Sequence, residues 1–126
     1  MPQPFNANLF ELAKLNDNYR KEVATATHAQ ITLMSIPVGG EVGEETHGDV
    51  DQILTFVAGA GEAVIEGVAS PIATGSVVVI PQGTKHNFIN TGSEELKIVS
   101  VYAPPHHAVG TIHKTKAEAD ASEEKY

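Results

Sequence analysis

The chain contains no cysteine. That absence removes disulfides, thiolate metal ligands and cysteine nucleophiles together, so any metal must be held by His, Asp, Glu or amide oxygen. It also fits a cytoplasmic protein. Cations are scarce: 8 Lys and Arg stand against 16 Asp and Glu, a formal net charge of −8. An acidic surface of that kind repels phosphate backbones and anionic lipid, so the expected partners include no nucleic acid and no membrane. No apolar run approaches the roughly 20 residues that cross a bilayer. The opening MPQPFNANLF has neither the basic nor the long apolar region of a secretory signal. Aromatic side chains are few, 4 Phe and 3 Tyr, so the core has to be built from aliphatic strands.

What the chain does have is the size of one domain, 126 residues. Its composition, 41% hydrophobic and 19% charged, is that of an ordinary globular protein. Leu9, Leu12 and Ala13 fall at helical spacing behind Asn6 or Asn8 as N-cap, which predicts one short N-terminal helix. Short Val-, Ile- and Thr-rich segments follow at 22–28, 30–36, 52–58, 62–69, 76–80, 86–90 and 96–103, separated by Gly or Pro. Regular strands with turn signals between them predict an all-β sandwich or barrel. Gly59-Ala60-Gly61 reads as a hairpin turn, and Pro104-Pro105 closes the last strand. The tail from Lys116 to Tyr126 has helix formers but almost no apolar face, and is expected to be a frayed helix or disordered.

Of six histidines, His28, His106, His107 and His113 read as surface or packing residues, with His113 near a site only if the tail folds back over a barrel mouth. His47 and His86 sit in a different setting. Gly75 turns the chain into an apolar strand, Pro81 and Gly83 make a tight turn, and His86 opens the next strand with Phe88 and Asn90 on its face. A histidine leaving a rigid turn onto a strand is a preorganised ligand.

Residues 75–90 resemble the second motif of the cupins, G-x5-P-x-G-x2-H-x3-N, at every defined position. Residues 39–59 keep the spacing of the first cupin motif, G-x5-H-x-H-x4-E-x6-G, through Gly39, His47 and Gly59. Two letters differ: Glu45 stands where the family has its first His, and Gln52 where it has Glu. The resemblance implies a single domain over 1–126 with a barrel core of about 22–103. Its fold would be an antiparallel double-stranded β-helix, or jelly roll, with a short N-terminal helix and a C-terminal tail from 104 to 126. It also implies a homodimer and a divalent metal held by Glu45, His47, Gln52 and His86. Two imidazoles, one carboxylate and one amide oxygen suit Fe or Mn, with Ni and Zn open as well.

Alternatives stay open at the site. Glu45 reads as ligand or general base, and Tyr102 as a core tyrosine or a proton donor. Asp51 reads as a loop or supporting carboxylate, Asn90 as a partner of backbone groups, and Met34 as core. A metal with an open position polarises carbonyls, so the leading expectation is a metal-dependent isomerase, lyase or dioxygenase acting on a small oxygenated molecule. The two changed letters favour, instead, a non-catalytic binding or sensing module. A mannose-6-phosphate-type isomerase would need a cationic clamp, for which Lys85, Lys114 and Lys116 are the candidates.

Overall fold

The computed structural model describes residues 3–122. Helix α1 (Leu9–Leu15) starts where the Asn8 side chain accepts the Glu11 amide at 3.1 Å, and its Leu9–Ala13 stripe faces the protein. Nine strands follow: β1 (Arg20–Thr25), β2 (Gln30–Ile36), β3 (Asp51–Ala58), β4 (Ala60–Ile65), β5 (Val68–Ala73), β6 (Val77–Ile80), β7 (His86–Ile89), β8 (Leu96–Ala103) and β9 (Ile112–His113). A second short helix, α2 (Lys116–Ala121), is capped by Thr115.

The strands form two antiparallel sheets, one in the order β6-β3-β8-β2-β1-β9 and one in the order β5-β4-β7. Met34, Ile36, Phe56, Ile98 and Leu96 of the larger sheet pack against Ala63, Ile72 and Phe88 of the smaller one. α1 covers the opposite face of the larger sheet through Ala13 against Leu33, Val57 and Val99. Cover on both sides explains why β2 and β8 are buried almost without alternation. This architecture is the expected double-stranded β-helix with short helices.

Cross-strand register makes the interior polar at one end only. Met34, Ile98 and Phe56 form one row across β2, β8 and β3. Thr32, Ser100 and Leu54 form the next inward row, and Gln30, Tyr102 and Gln52 the one beyond it. Residues in one row share a face, so the barrel passes from an oily end to a hydrogen-bonding end within two rows.

Two local expectations fail. Gly59 to Gly61 is a corner, not a hairpin: β3 pairs with β6 and β8, whereas β4 pairs with β5 and β7 in the other sheet. Gly61 is needed there because a Cβ would come within 2.1 Å of the Ile89 carbonyl oxygen. Residues 62–69 are two strands, joined at Glu66 and Gly67, both with positive φ (51° and 79°), as a two-residue hairpin turn requires. In the tail the helical alternative holds over α2, where Ala119 packs on the core; residues 123–126 lie outside the described part.

Candidate metal centre

The two motif segments meet through their backbones. Glu45 N–H donates to the His86 carbonyl at 2.8 Å and His86 N–H donates to the Glu45 carbonyl at 2.9 Å. One turn away, Gly83 N–H donates to the His47 carbonyl at 2.7 Å. The Asp51 carboxylate accepts the Gln82 amide at 2.9 Å, and the Gln82 side chain donates to the Gly48 carbonyl at 2.7 Å. The turn and the strand that carry the two histidines are thus fixed without using either imidazole.

This frame brings Glu45, His47 and His86 together, with one ligating atom from each lying within 4.8 Å of the others. His47 Nε2 is 3.8 Å from Glu45 Oε1, and the two imidazole centroids are 5.3 Å apart. His86 is buried, and its Nδ1 lies 2.9 Å from the Thr84 carbonyl. A carbonyl can only accept, so Nδ1 carries a proton and Nε2 is the ring nitrogen left for a metal, the arrangement seen behind metal-binding imidazoles. Burial holds the His47 pKa below its ordinary value; Glu45 opposes this and His86 adds to it. A neutral imidazole is the ligating form.

Gln52 lies on the neighbouring inward row, buried, sharing its face with Leu54 and Phe56 as expected. Its amide nitrogen donates to Ser100 Oγ at 2.9 Å, while its Oε1 is buried with no hydrogen-bond partner. Leaving such an acceptor bare costs about 1–3 kcal/mol, which a cation would relieve. Two imidazoles, a carboxylate and a spare amide oxygen are a donor set that fits a divalent transition metal.

The cluster opens onto a cavity of about 240 Å³ bounded by Arg20, Glu45, His47, Tyr102, His106 and His107. α2 contributes Ala119 and Asp120 to its wall. Of the two readings for the remaining histidines, surface or packing, the packing one holds for three of them, and the tail does fold back over the mouth as His113 required. His106, His107 and His113 are all buried, and the first two line the cavity. After β8 the chain crosses the mouth and returns as β9 beside β1. Buried Gln30 holds the crossing: its Oε1 accepts the His106 and His107 amides at 3.1 and 2.8 Å, and its Nε2 donates to the His107 carbonyl at 2.7 Å. The His106 ring stacks on Tyr102 at 5.1 Å and lies 4.5 Å from His47. Burial, reinforced by Arg20 and the other histidines, lowers the His107 pKa to about 2. His28 stays exposed, as expected.

Tyr102 is buried on the inner face, and burial pushes its pKa up. Asn90 spends its amide on the Ile36 and Glu94 carbonyls, both at 2.9 Å, and Met34 is core. Lys85, Lys114 and Lys116 do not line the cavity; Lys116 instead pairs with Asp120 at 2.7 Å. The sequence reading passed over Arg20, the one arginine in the chain, which lies buried in the cavity wall.

A two-sheet antiparallel barrel whose polar end carries a Glu-His-His cluster able to hold a metal ion is a double-stranded β-helix with a candidate metal centre. The chain belongs to the cupin family: the cupin domain model matches residues 32–102. It is similar to protein YrkC of Bacillus subtilis (strain 168), 42% identical over 98% of this chain and 69% of that protein. The crystal structure of BH2720 from Bacillus halodurans superposes with a TM-score of 0.94, at 39% identity over 96% of each chain. A predicted oxalate decarboxylase from Thermotoga maritima superposes with a TM-score of 0.58, at 28% identity over 60% of this chain and 66% of that one. Among the described residues no helix is long and apolar enough to cross a membrane.

Proposed function

We propose that this cupin is a small metal-dependent enzyme, an isomerase, lyase or dioxygenase, acting on a small oxygenated organic molecule. The observation that carries the reading is the Glu45–His47–His86 cluster opening onto the 240 Å³ cavity. Glu45, His47 and His86, with the Gln52 amide oxygen, would hold a divalent Mn, Fe, Ni or Zn ion. When bound, such an ion supplies Lewis acidity toward a carbonyl or enolate oxygen. Around it the protein's own groups divide the work. The Tyr102 hydroxyl, kept protonated by burial, is the proton donor on the cavity wall. Glu45, about 38% exposed at its side chain, would accept a substrate proton once released from the ion, the site then resting on His47, His86 and Gln52. His106 and α2 narrow the mouth and exclude water. A homodimer in the cytoplasm completes the reading.

Elemental analysis of protein purified without chelator or His-tag, beside His47→Ala and His86→Ala, tests it. About one equivalent of transition metal in the parent and none in either variant is expected. A parent that cannot be loaded with Fe²⁺, Mn²⁺, Ni²⁺ or Zn²⁺ would refute it. The non-catalytic binding module is the second reading, favoured by the Glu45 and Gln52 departures from the motif. It is supported if the metal-loaded protein turns over no candidate substrate yet gains thermal stability from a metabolite. The sugar-phosphate alternative draws no cationic clamp from Lys85, Lys114 or Lys116.

A further inference from the structure

Arg20 is the only arginine among 126 residues, and it is placed inside the protein. It is 5% exposed, sits on the inner face of β1 opposite Met34, and borders the same cavity as Glu45 and His47. Arginine stays charged at any ordinary pH, so its burial is costly unless something negative or strongly accepting meets it. Among the described residues no carboxylate lies within ion-pair distance of it. Its partial compensations are the Tyr19 ring, 5.3 Å from the guanidinium carbon, and His113 Nδ1, 3.4 Å from Nη1. Nε is buried and has no hydrogen-bond partner.

The unused position has a chemical meaning. A guanidinium presents its N–H groups as a planar fork that a carboxylate takes through two parallel hydrogen bonds, and with Nη1 turned to His113 and Nε unpartnered this one keeps donors to spare on the cavity wall. We propose that Arg20 is an anion anchor that holds the carboxylate group of a small organic acid in the cavity, beside the Glu45–His47–His86 cluster. The proposal deepens the enzyme reading by naming the substrate class, and rests on that reading only in taking this cavity as the substrate site. A monoanion is favoured over a phosphate dianion by the rest of the wall. One guanidinium faces the carboxylates of Glu45 and Asp120 across a small volume, and the lysines lie elsewhere. His113, paired with Arg20 across β1 and β9, orients the fork rather than touching the ligand.

A single arginine also makes the test clean, because the ¹⁵N spectrum contains one arginine Nε–Hε signal. Metal-free, ¹⁵N-labelled protein is titrated with acetate and pyruvate, with neutral acetamide and inorganic phosphate as comparisons. The signal is expected to shift saturably with both carboxylates, to ignore acetamide, and to respond to phosphate only at higher concentration. Calorimetry should show carboxylate binding weakened about tenfold or more in Arg20→Lys and retained in His86→Ala. Arg20→Lys keeps the charge and serves where a neutral substitution fails to fold. An Nε–Hε signal unmoved by either carboxylate overturns the proposal. So does tighter phosphate binding, or carboxylate binding that needs His86 but is indifferent to Arg20. Because the protein is metal-free throughout, failure here leaves the metal reading standing, and failure to load metal leaves the anchor standing.

Discussion

Acid should unfold this protein earlier than its carboxylates alone would dictate, and His107 is the reason. In an unfolded chain histidine titrates near 6.5, whereas in the fold His107 is 7% exposed and its pKa falls to about 2. The folded state therefore binds the proton less well than the unfolded state. A depressed pKa contributes its stability fully above 6.5 and loses it progressively as pH falls toward the folded value. At about 1.4 kcal/mol per pH unit, going from pH 7 to pH 5 removes about 2 kcal/mol on account of this one residue. His47, also lowered by burial, acts in the same direction. The assay is urea unfolding of metal-free protein at pH 7, 6 and 5, with His107→Gln in parallel. The variant should lose about 2 kcal/mol less than the parent over that range, or show a midpoint temperature drop smaller by roughly 6–10 °C. Parallel pH profiles for the two proteins would refute the reasoning. An NMR titration placing the His107 imidazole near 6.5 in the folded protein would do so independently.

Gly61→Ala should cost about 2–4 kcal/mol, because its Cβ meets the Ile89 carbonyl at 2.1 Å and β4 must part from β7; denaturant unfolding that moves by less than about 1 kcal/mol contradicts this. Gln30→Ala removes the acceptor of the His106 and His107 amides, and should destabilise by about 2–4 kcal/mol while speeding proteolysis between residues 104 and 111; unchanged cleavage would show that the crossing is held by something else. Phe56→Ala opens a hole between Ile98 and Phe88, whose ring centroid lies 5.5 Å away, and should cost about 3–5 kcal/mol in the same assay without changing metal content.

The parts of the site that sequence reasoning located are those whose geometry is local. Gly75 to Asn90 fixes a turn and the strand after it within sixteen residues, and Glu45 and His47 lie only two residues apart, so they reach one cluster from a single short segment held to His86 and Gly83. The parts it missed depend on partners far along the chain. A strand that leaves one sheet for the other at Gly59 has the same local pattern as a hairpin; the difference lies in β8, which pairs with β3 and not with β4. His106 follows a double proline and reads as surface or packing with no way to choose, because the Gln30 that draws it inside is 76 residues earlier. The turn at Glu66-Gly67 lacks the Asn-Gly or Asp-Gly signature, so it was read as strand. Arg20 did leave a trace: an acidic chain with a single arginine has one guanidinium to place.

The backbone bonds that tie Glu45 to His86 and Gly83 to His47 have a consequence for how such a site changes over time. They belong to the main chain and are indifferent to which side chains hang from it. The barrel therefore works as a socket whose pins are exchangeable: a histidine can become a glutamate at position 45, or a glutamate a glutamine at position 52, while the remaining pins stay in register. Chemistry can drift within a fixed mounting, each single replacement leaving a folded protein for the next one to act on. The reverse exchange, Glu45→His, should enter the same mounting with no rearrangement of the strands.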